Sequence, residues 1–503
     1  MAEKKASLAD KTGVVVFSRI ITTIIDLVLV IVLINLMLKE EFAIISFLLI
    51  VYETARYIAT LGYPDSVFYF FERVTGSAKR AFSVQTCAVL AVTGFAAFGI
   101  IMGMSYIPDL YLSSEWDPSA VQMVGDLLPY MALVAILEIP TWPVQNIMIA
   151  ADRQKDSAWF QMINAIMTFV ALVVPIALGF GLEVALQALV IYSLIRFIIA
   201  FWWVFTRLPE GKLFFDKELF RNQMNFSIPI GLSMLTSRLN RYIDKFVVTG
   251  LLSATALAEY TVGAQELPII RVIPFAVGAV LISRYVNLQM EEKKHELLEL
   301  WYKGIQKVSL VVIPLTIMFV AIAEDFIVTL VGTEYLPSVI VFQVYTLIVL
   351  MRVTHYGSIL QAFGDSKGIL YLSLNLLAAN LILSIPLTIM FGITGTAVST
   401  FLANMYNWYI TLRRIGGHMD LPASKVLPFP YYFRVLAVSV VCAAAVWLMR
   451  NYLWALDTAL LNLLWSVGVY LVLFALIGTL TKTISGQDWH QFTDWLKLKF
   501  FYR

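Results

Sequence analysis

Residues 18–29, SRIITTIIDLVL, and residues 237–248, SRLNRYIDKFVV, decide how this chain is read, because each sets full charges inside an apolar run. In the first, Arg19 and Asp26 stand two helical turns apart on one face, with Thr22 and Thr23 between them. In the second, Arg238, Arg241 and Lys245 form an i, i+3, i+7 stripe with Asp244 beside it. The apolar run that follows each carries a further arginine, Arg56 and then Arg271. A charge at the bilayer centre costs about 2.5–3.5 kcal/mol on insertion scales, so several facing lipid would cost on the order of 10 kcal/mol. These side chains must face water, one another or an anionic ligand. A structural salt-bridge seam is one solution; a cation-lined internal cavity for a negatively charged cargo is favoured, because the positive charges outnumber the local acids.

The rest of the composition agrees with a membrane chain. Of 503 residues, 60% are hydrophobic and 14% charged, and the mean hydropathy is +0.81, which no soluble domain of this size shows. The net charge of +2 says little by itself. Both cysteines, Cys87 and Cys442, sit in apolar runs and read as packing residues. Lys4, Lys5 and Lys11 precede an apolar run too long for a signal peptide, so a retained first span is expected.

Apolar stretches of helical length predict an all-α polytopic protein with about fourteen spans and short loops. The expected order is a cytoplasmic N-terminus at 1–13, six spans over 14–207, six over 222–415, two more over 430–482, and an amphipathic tail at 485–503. One set of breaks holds Arg73, Lys79 and Arg80, then Arg153 and Lys155, then Arg207, Lys212, Lys217 and Arg221, whereas the alternate set is acidic or neutral apart from Lys39 and Arg450. The positive-inside rule then places both termini in the cytoplasm, which needs an even number of spans. Laying Asp26 on Asp244 brings Glu41 onto Glu259 and Phe42 onto Tyr260; laying Pro175 on Pro386 brings Phe180 onto Phe391 and Gly181 onto Gly392. The expectation is two six-helix repeats, an N-lobe and a C-lobe, inserted the same way up around a central cavity.

Individual candidates differ in character. Arg56 has Glu53 one turn before it and Tyr52 on the same side, so it is open to local neutralisation. Arg271 has no acid at i−3 or i−4, and its nearest, Glu266, lies on a different face. Arg352, His355 and Tyr356 form a mid-span cluster, in which the histidine could pack or titrate. Arg196 is a weaker candidate, and Arg284 near a span end is placed to snorkel. Pro140, Pro143, Pro268, Pro274 and Pro314 interrupt spans and permit bending. Phosphate-binding glycine loops, HExxH, and cysteine pairs at metal spacing are absent from the sequence. No enzyme activity, metal or cofactor is therefore expected, and the driving force would be H+, Na+ or the membrane potential rather than bound ATP.

The opening Arg19 to Asp26 stripe followed by LKEEFA and GYPDSVFYFFER, with its counterpart SRLNRYIDKFVV and LAEYTVGA, resembles the polysaccharide flippase branch of the multidrug/oligosaccharidyl-lipid/polysaccharide exporter superfamily over essentially the whole chain. That resemblance implies an alternating-access flippase that moves an undecaprenyl-diphosphate-linked oligosaccharide from the cytoplasmic to the outer leaflet of the inner membrane. It implies a cationic lumen of Arg19, Arg56, Arg238, Arg241 and Arg271, to which the residue reading adds Arg352. Asp26, Asp244, Glu53 and His355 are the candidates for coupling or gating. Asn240, Tyr242, Gln361 and Asn380 could hydrogen-bond sugar, and spans 433–481 could offer a groove to the lipid tail. The implied partners are the lipid-linked oligosaccharide, membrane lipids, and polymerase and glycosyltransferase machinery, with no nucleic acid. Related lipid II flippases commonly carry adjacent Arg and Asp in the first span, whereas Arg19 and Asp26 stand two turns apart, which favours another glycolipid. The competing readings are a cation-coupled drug exporter, kept alive by Asp26, Glu53, Glu138, Asp244 and Glu266, and a membrane glycosyltransferase or polymerase, disfavoured by the short outer loops.

Overall fold

The computed structural model describes residues 8–265, 267–453, 456 and 458–489, and among them the secondary structure is helical with no strand. In chain order the helices are α1 (Leu8–Leu36), α2 (Lys39–Thr60), the one-turn α3 (Val67–Phe70), α4 (Ala78–Ser105), α5 (Pro118–Glu138), α6 (Trp142–Ala150), α7 (Gln154–Ala177), α8 (Gly181–Arg207) and α9 (Lys217–Leu251). They continue as α10 (Ala254–Gly263), α11 (Pro268–Met290), α12 (Lys294–Ala321), α13 (Ala323–Val331), α14 (Ser338–Ile348), α15 (Tyr356–Ala362), α16 (Ser366–Met419), α17 (Phe429–Tyr452) and α18 (Ala459–Leu480). Among the described residues, twelve helical stretches are long and apolar enough to cross a membrane. The chain is a multi-pass membrane protein, because in hydrocarbon only helices satisfy their own backbone and only apolar surfaces face lipid without penalty.

The observed helices differ from the spans read in sequence at several points. The run at 366–419 is one 54-residue helix broken at Gly392, whose φ of 59° and ψ of −143° are non-helical. The 35-residue α9 carries Arg238, Arg241, Asp244 and Lys245 and is not among the twelve apolar stretches. The apolar run at 257–288, readable as one span, is two helices, α10 and α11, and the run at 336–363 is interrupted between α14 and α15. Helix α1 begins at Leu8, inside the 1–13 segment expected to be a cytoplasmic N-terminus. Most of the amphipathic tail at 485–503 lies outside the described residues, as does Glu266.

The chain divides into two compact units, residues 1–258 and 259–503, with the boundary inside α10. In the first, α1 packs on α7, α4 on α5, α7 and α5 on α8, and α2 on α4, α5 and α9. Its core gathers Val67, Phe71, Phe82, Ile147 and Trp203. In the second, α12 packs on α17, α11 on α12 and α15, α14 on α16, and α17 on α18. Its core includes Tyr285, Trp301, Ile313, Ile415 and Tyr470.

Helix ends follow local chemistry. Glu41 accepts from the Leu38 N–H at 3.2 Å at the start of α2. Asp117, Asp216 and Asp365 each cap a helix by accepting from Ser119, Leu219 and Gly368 N–H groups at 2.8, 2.9 and 2.9 Å. Gly181 and Gly392, paired by the sequence alignment, both take positive φ, 82° and 59°. One closes the α7–α8 turn and the other breaks α16, conformations that a side chain resists. Around the second break, Asn380 accepts from Ser384 at 2.9 Å and Thr400 at 3.3 Å, while Ser384 and Thr388 bond Ser399 and Thr396. Asn380 is thus committed to joining the two arms of α16 rather than presented to a sugar.

Candidate functional site

The first unit assembles a column of cations and aromatic rings from four helices. On α2, Tyr52, Glu53, Arg56 and Tyr57 fall within about one and a half turns, so helical periodicity alone brings them to one side. Arg56 is buried and ion-paired with Glu53. Its guanidinium lies 4.6 Å from the Tyr57 ring and 3.8 Å from the Trp142 ring at the start of α6. Arg238 of α9 lies 4.6 Å from the same Tyr57 ring, and Arg196 of α8 lies 5.3 Å from Trp142. The order Arg196, Trp142, Arg56, Tyr57, Arg238 is an unbroken alternation of guanidinium and ring. Cation–π contacts contribute from about 0.5 kcal/mol at exposed sites to about 2 kcal/mol when desolvated, so the ladder holds three like charges close together with two acids for neutralisation.

The second of those acids is Glu138, at the end of α5. It is buried and accepts three hydrogen bonds: from Tyr52 Oη at 2.7 Å, Arg196 Nη1 at 2.8 Å and Ser193 Oγ at 2.9 Å. The Arg196 Nε and the Trp142 Nε1 are buried without a partner among the described residues. In the sequence Arg196 is only a weaker candidate, Glu138 is attached to the rival exporter, Tyr52 is visible as a neighbour of Arg56, and nothing marks Ser193 or Trp142 as site members. The signal available was a carboxylate and an arginine in separate apolar runs; their pairing across 58 positions is a tertiary fact.

Other expected residues fall as follows. Arg238 and Arg241 of α9 both act electrostatically on Glu53, as Glu53 does on Asp26. Asp244 is buried, and its Oδ1 accepts the Lys245 N–H at 3.0 Å. Arg19 and Asp26 are exposed on α1, and the Arg19 carbonyl accepts from the Thr22 and Thr23 hydroxyls at 3.0 and 2.8 Å. In the first unit the cations Arg56, Arg196, Arg238, Arg241 and Lys245 outnumber the acids Glu53, Glu138 and Asp244 beside them.

The remaining candidates belong to the second unit. Arg352 ends a 3-10 turn and donates to Asn404 Oδ1 at 3.3 Å. His355 bonds Ser358 Oγ through Nδ1 at 2.6 Å and meets the Phe275 ring edge-on at 5.2 Å. Tyr356 donates to the Met351 carbonyl and accepts from Trp408 Nε1. Arg271 sits on the first turn of α11, and its side chain lies outside the described ones.

A helical multi-pass chain with cations and acids buried among its membrane helices is a transporter-type architecture. The sequence profile of the polysaccharide biosynthesis protein family matches residues 8–282, and the chain belongs to that family. Its fold is that of the lipid II flippase MurJ in an inward closed conformation, with 14% identity, 93% of this chain and 98% of that chain covered, and a TM-score of 0.68. It is similar as well to a multidrug resistance MATE family transporter in an inward-facing conformation, at 13% identity, 79% and 94% coverage and a TM-score of 0.65. A third likeness is a superfamily transporter from Pyrococcus furiosus whose binding pocket is described as of reverse polarity, at 12% identity, 81% and 94% coverage and a TM-score of 0.52. Among curated sequences, an uncharacterized membrane protein of Methanocaldococcus jannaschii, MJ1068, is 24% identical over 331 residues. The match spans 62% of this chain and 64% of that relative's length.

Proposed function

We propose that this protein is a flippase for an undecaprenyl-diphosphate-linked oligosaccharide, acting by alternating access in the inner membrane in the synthesis of cell-surface polysaccharide such as O-antigen or exopolysaccharide. The observation that carries the reading is the cation–π ladder of Arg196, Arg56 and Arg238, with Arg241 and Lys245 adding charge in excess of the local acids. A diphosphate needs several positive charges to leave water, and guanidinium groups grip its oxygens two at a time. Arg56 and Arg238, each 4.6 Å from the Tyr57 ring, would present such forks already positioned. Arg19, Arg271 and Arg352 complete the proposed cationic set, with Asp26, Asp244, Glu53 and His355 as coupling or gating groups for H+ or Na+. Both termini are placed in the cytoplasm, and polymerase and glycosyltransferase machinery are the proposed partners. The protein itself performs no covalent chemistry in this scheme.

The test is outer-leaflet accessibility of an undecaprenyl-diphosphate oligosaccharide in proteoliposomes or spheroplasts. Protein-dependent appearance that is lost in Arg238→Ala, with insertion intact, supports the flippase. Half-buried Glu53 and buried Glu138 and Asp244 favour a second reading, a cation-coupled drug exporter. Efflux of a cationic dye with no appearance of any lipid-linked sugar would establish that one instead.

A further inference from the structure

Beside the ladder, the first unit contains an apolar crevice of about 410 Å³ between the C-terminal end of α2, the middle of α4 and the start of α9. Its size falls within the roughly 300–1,000 Å³ of small-ligand pockets. Ile58, Leu61, Leu90, Phe215, Phe220 and Ile228 supply its walls. We propose that this crevice seats the prenyl chain of the transported lipid while the ladder holds its diphosphate, an inference that rests on the flippase reading above.

Three observations point to that occupant. The crevice lies within a long lipid's reach of the ladder: Ile58 follows Tyr57 directly on α2, and Ile228 precedes Arg238 by ten residues on α9, about 15 Å at 1.5 Å per residue. One amphiphile with an anionic head and a long apolar chain therefore reaches both at once.

The floor is built to stay open. Leu61 and Gly62 end α2 with φ of 38° and 72°, and a Cβ on Gly62 would lie 2.8 Å from the Gly231 nitrogen of α9. Two backbones meet there with no side chain between them, which fixes the base of the crevice.

The aromatic wall on the α9 side is held in place. The segment before α9 is tied down by Gln85, whose side chain accepts from the Asp216 N–H at 2.8 Å and donates to its carbonyl at 2.9 Å. This holds Phe215 against Phe220, ring centroids 5.7 Å apart. Lys217 and Arg221, both exposed, flank that aromatic wall.

This placement differs from a tail groove on spans 433–481. It is tested with the full-length protein in phosphatidylethanolamine and phosphatidylglycerol vesicles, using a polyprenyl-diphosphate oligosaccharide with a diazirine in its chain. Adducts within 58–63, 88–93 or 215–228 that unlabelled polyprenyl diphosphate displaces and excess phosphatidylglycerol does not are the expected result. Displacement by phosphatidylglycerol to the same extent means an ordinary bilayer lipid occupies the crevice, and overturns the proposal. The second arm is Ala88→Trp, at an exposed lining position of α4. It should raise the half-saturating concentration of the long-chain substrate about tenfold relative to a two-isoprene analogue, as losing roughly 55 Å² of apolar contact would. An equal shift for both chain lengths, with adducts elsewhere, overturns the tail site and leaves the flippase standing. Displaceable adducts at the crevice without flipping by wild type overturn the flippase and leave the prenyl site standing.

Discussion

Removing the Glu138 carboxylate should be the most damaging single change in the first unit, and its size follows from what is left behind. Glu138→Ala strands Arg196, which is 8% exposed and has a buried Nε with no other partner among the described residues. It also strands the Tyr52 hydroxyl, which donates to Glu138 at 2.7 Å; the Ser193 hydroxyl keeps its bond to the Leu189 carbonyl. Breaking a buried ion pair from one side costs about 3–5 kcal/mol, and an orphaned buried hydroxyl adds about 1–3 kcal/mol. The terms share one site and do not add fully, so about 4 kcal/mol is expected. Removing both charges is a different perturbation. Glu138→Met with Arg196→Met removes both members of the buried pair, and such replacements are often neutral or stabilising, so the double variant should recover most of the loss. The assay is equilibrium unfolding of purified protein in mixed micelles, comparing wild type, both single variants and the pair. A Glu138→Ala protein within about 0.5 kcal/mol of wild type, or a double variant no better than the single ones, would refute the assigned network.

Arg56→Lys should lose most transport while keeping stability closer to wild type than Arg56→Ala, because an ammonium retains the charge opposite Glu53 but not the planar stacking on Trp142 and Tyr57; equal transport by Arg56→Lys and wild type would count against the ladder. Arg238→Ala and Arg271→Ala should each abolish outer-leaflet appearance of the lipid-linked sugar with membrane insertion unchanged, and normal activity in both would sink the cationic site. Asp365, in the turn between α15 and α16, is held well below the usual carboxylate range by the Arg414 fork, with help from His418 and the Gly368 N–H. A depressed folded-state pKa contributes stability above the unfolded value of about 3.9 and loses it as pH falls through the folded value. Asp365→Asn, which can still cap α16, should therefore cost about 1–2 kcal/mol at pH 7, and the gap in unfolding midpoint should narrow only below about pH 4. Gly392→Ala should cost about 1–3 kcal/mol from backbone strain alone, since a Cβ there meets nothing within 4 Å; Gly417→Ala, in open space on the same helix, should gain up to about 1 kcal/mol.

The membrane class and the helical fold were legible because they depend on composition and on periodicity, both local properties. The paired glycines were legible too: aligning Pro175 with Pro386 singled out Gly181 and Gly392, and both turn out to have positive φ. Arg56 was correctly suspected of pairing with Glu53, since an i, i+3 contact is written into helix geometry. Asn380 was misread as a sugar contact because nothing local shows that Thr400, twenty residues on, folds back to it.

Sequence by itself determined that this chain spans a membrane many times and that arginines lie within its spans, because the cost of putting charge in hydrocarbon applies wherever a long apolar run contains one. Only the tertiary structure decided which charges meet. Glu138 and Arg196 come from different helices, as do Arg56, Trp142 and Arg238, and helix packing sets their distances. Neighbouring residues on a helix meet by periodicity; residues on separate helices meet only when side-chain shape brings those helices together. That difference is why the cations could be listed from the sequence and the ladder they form could not.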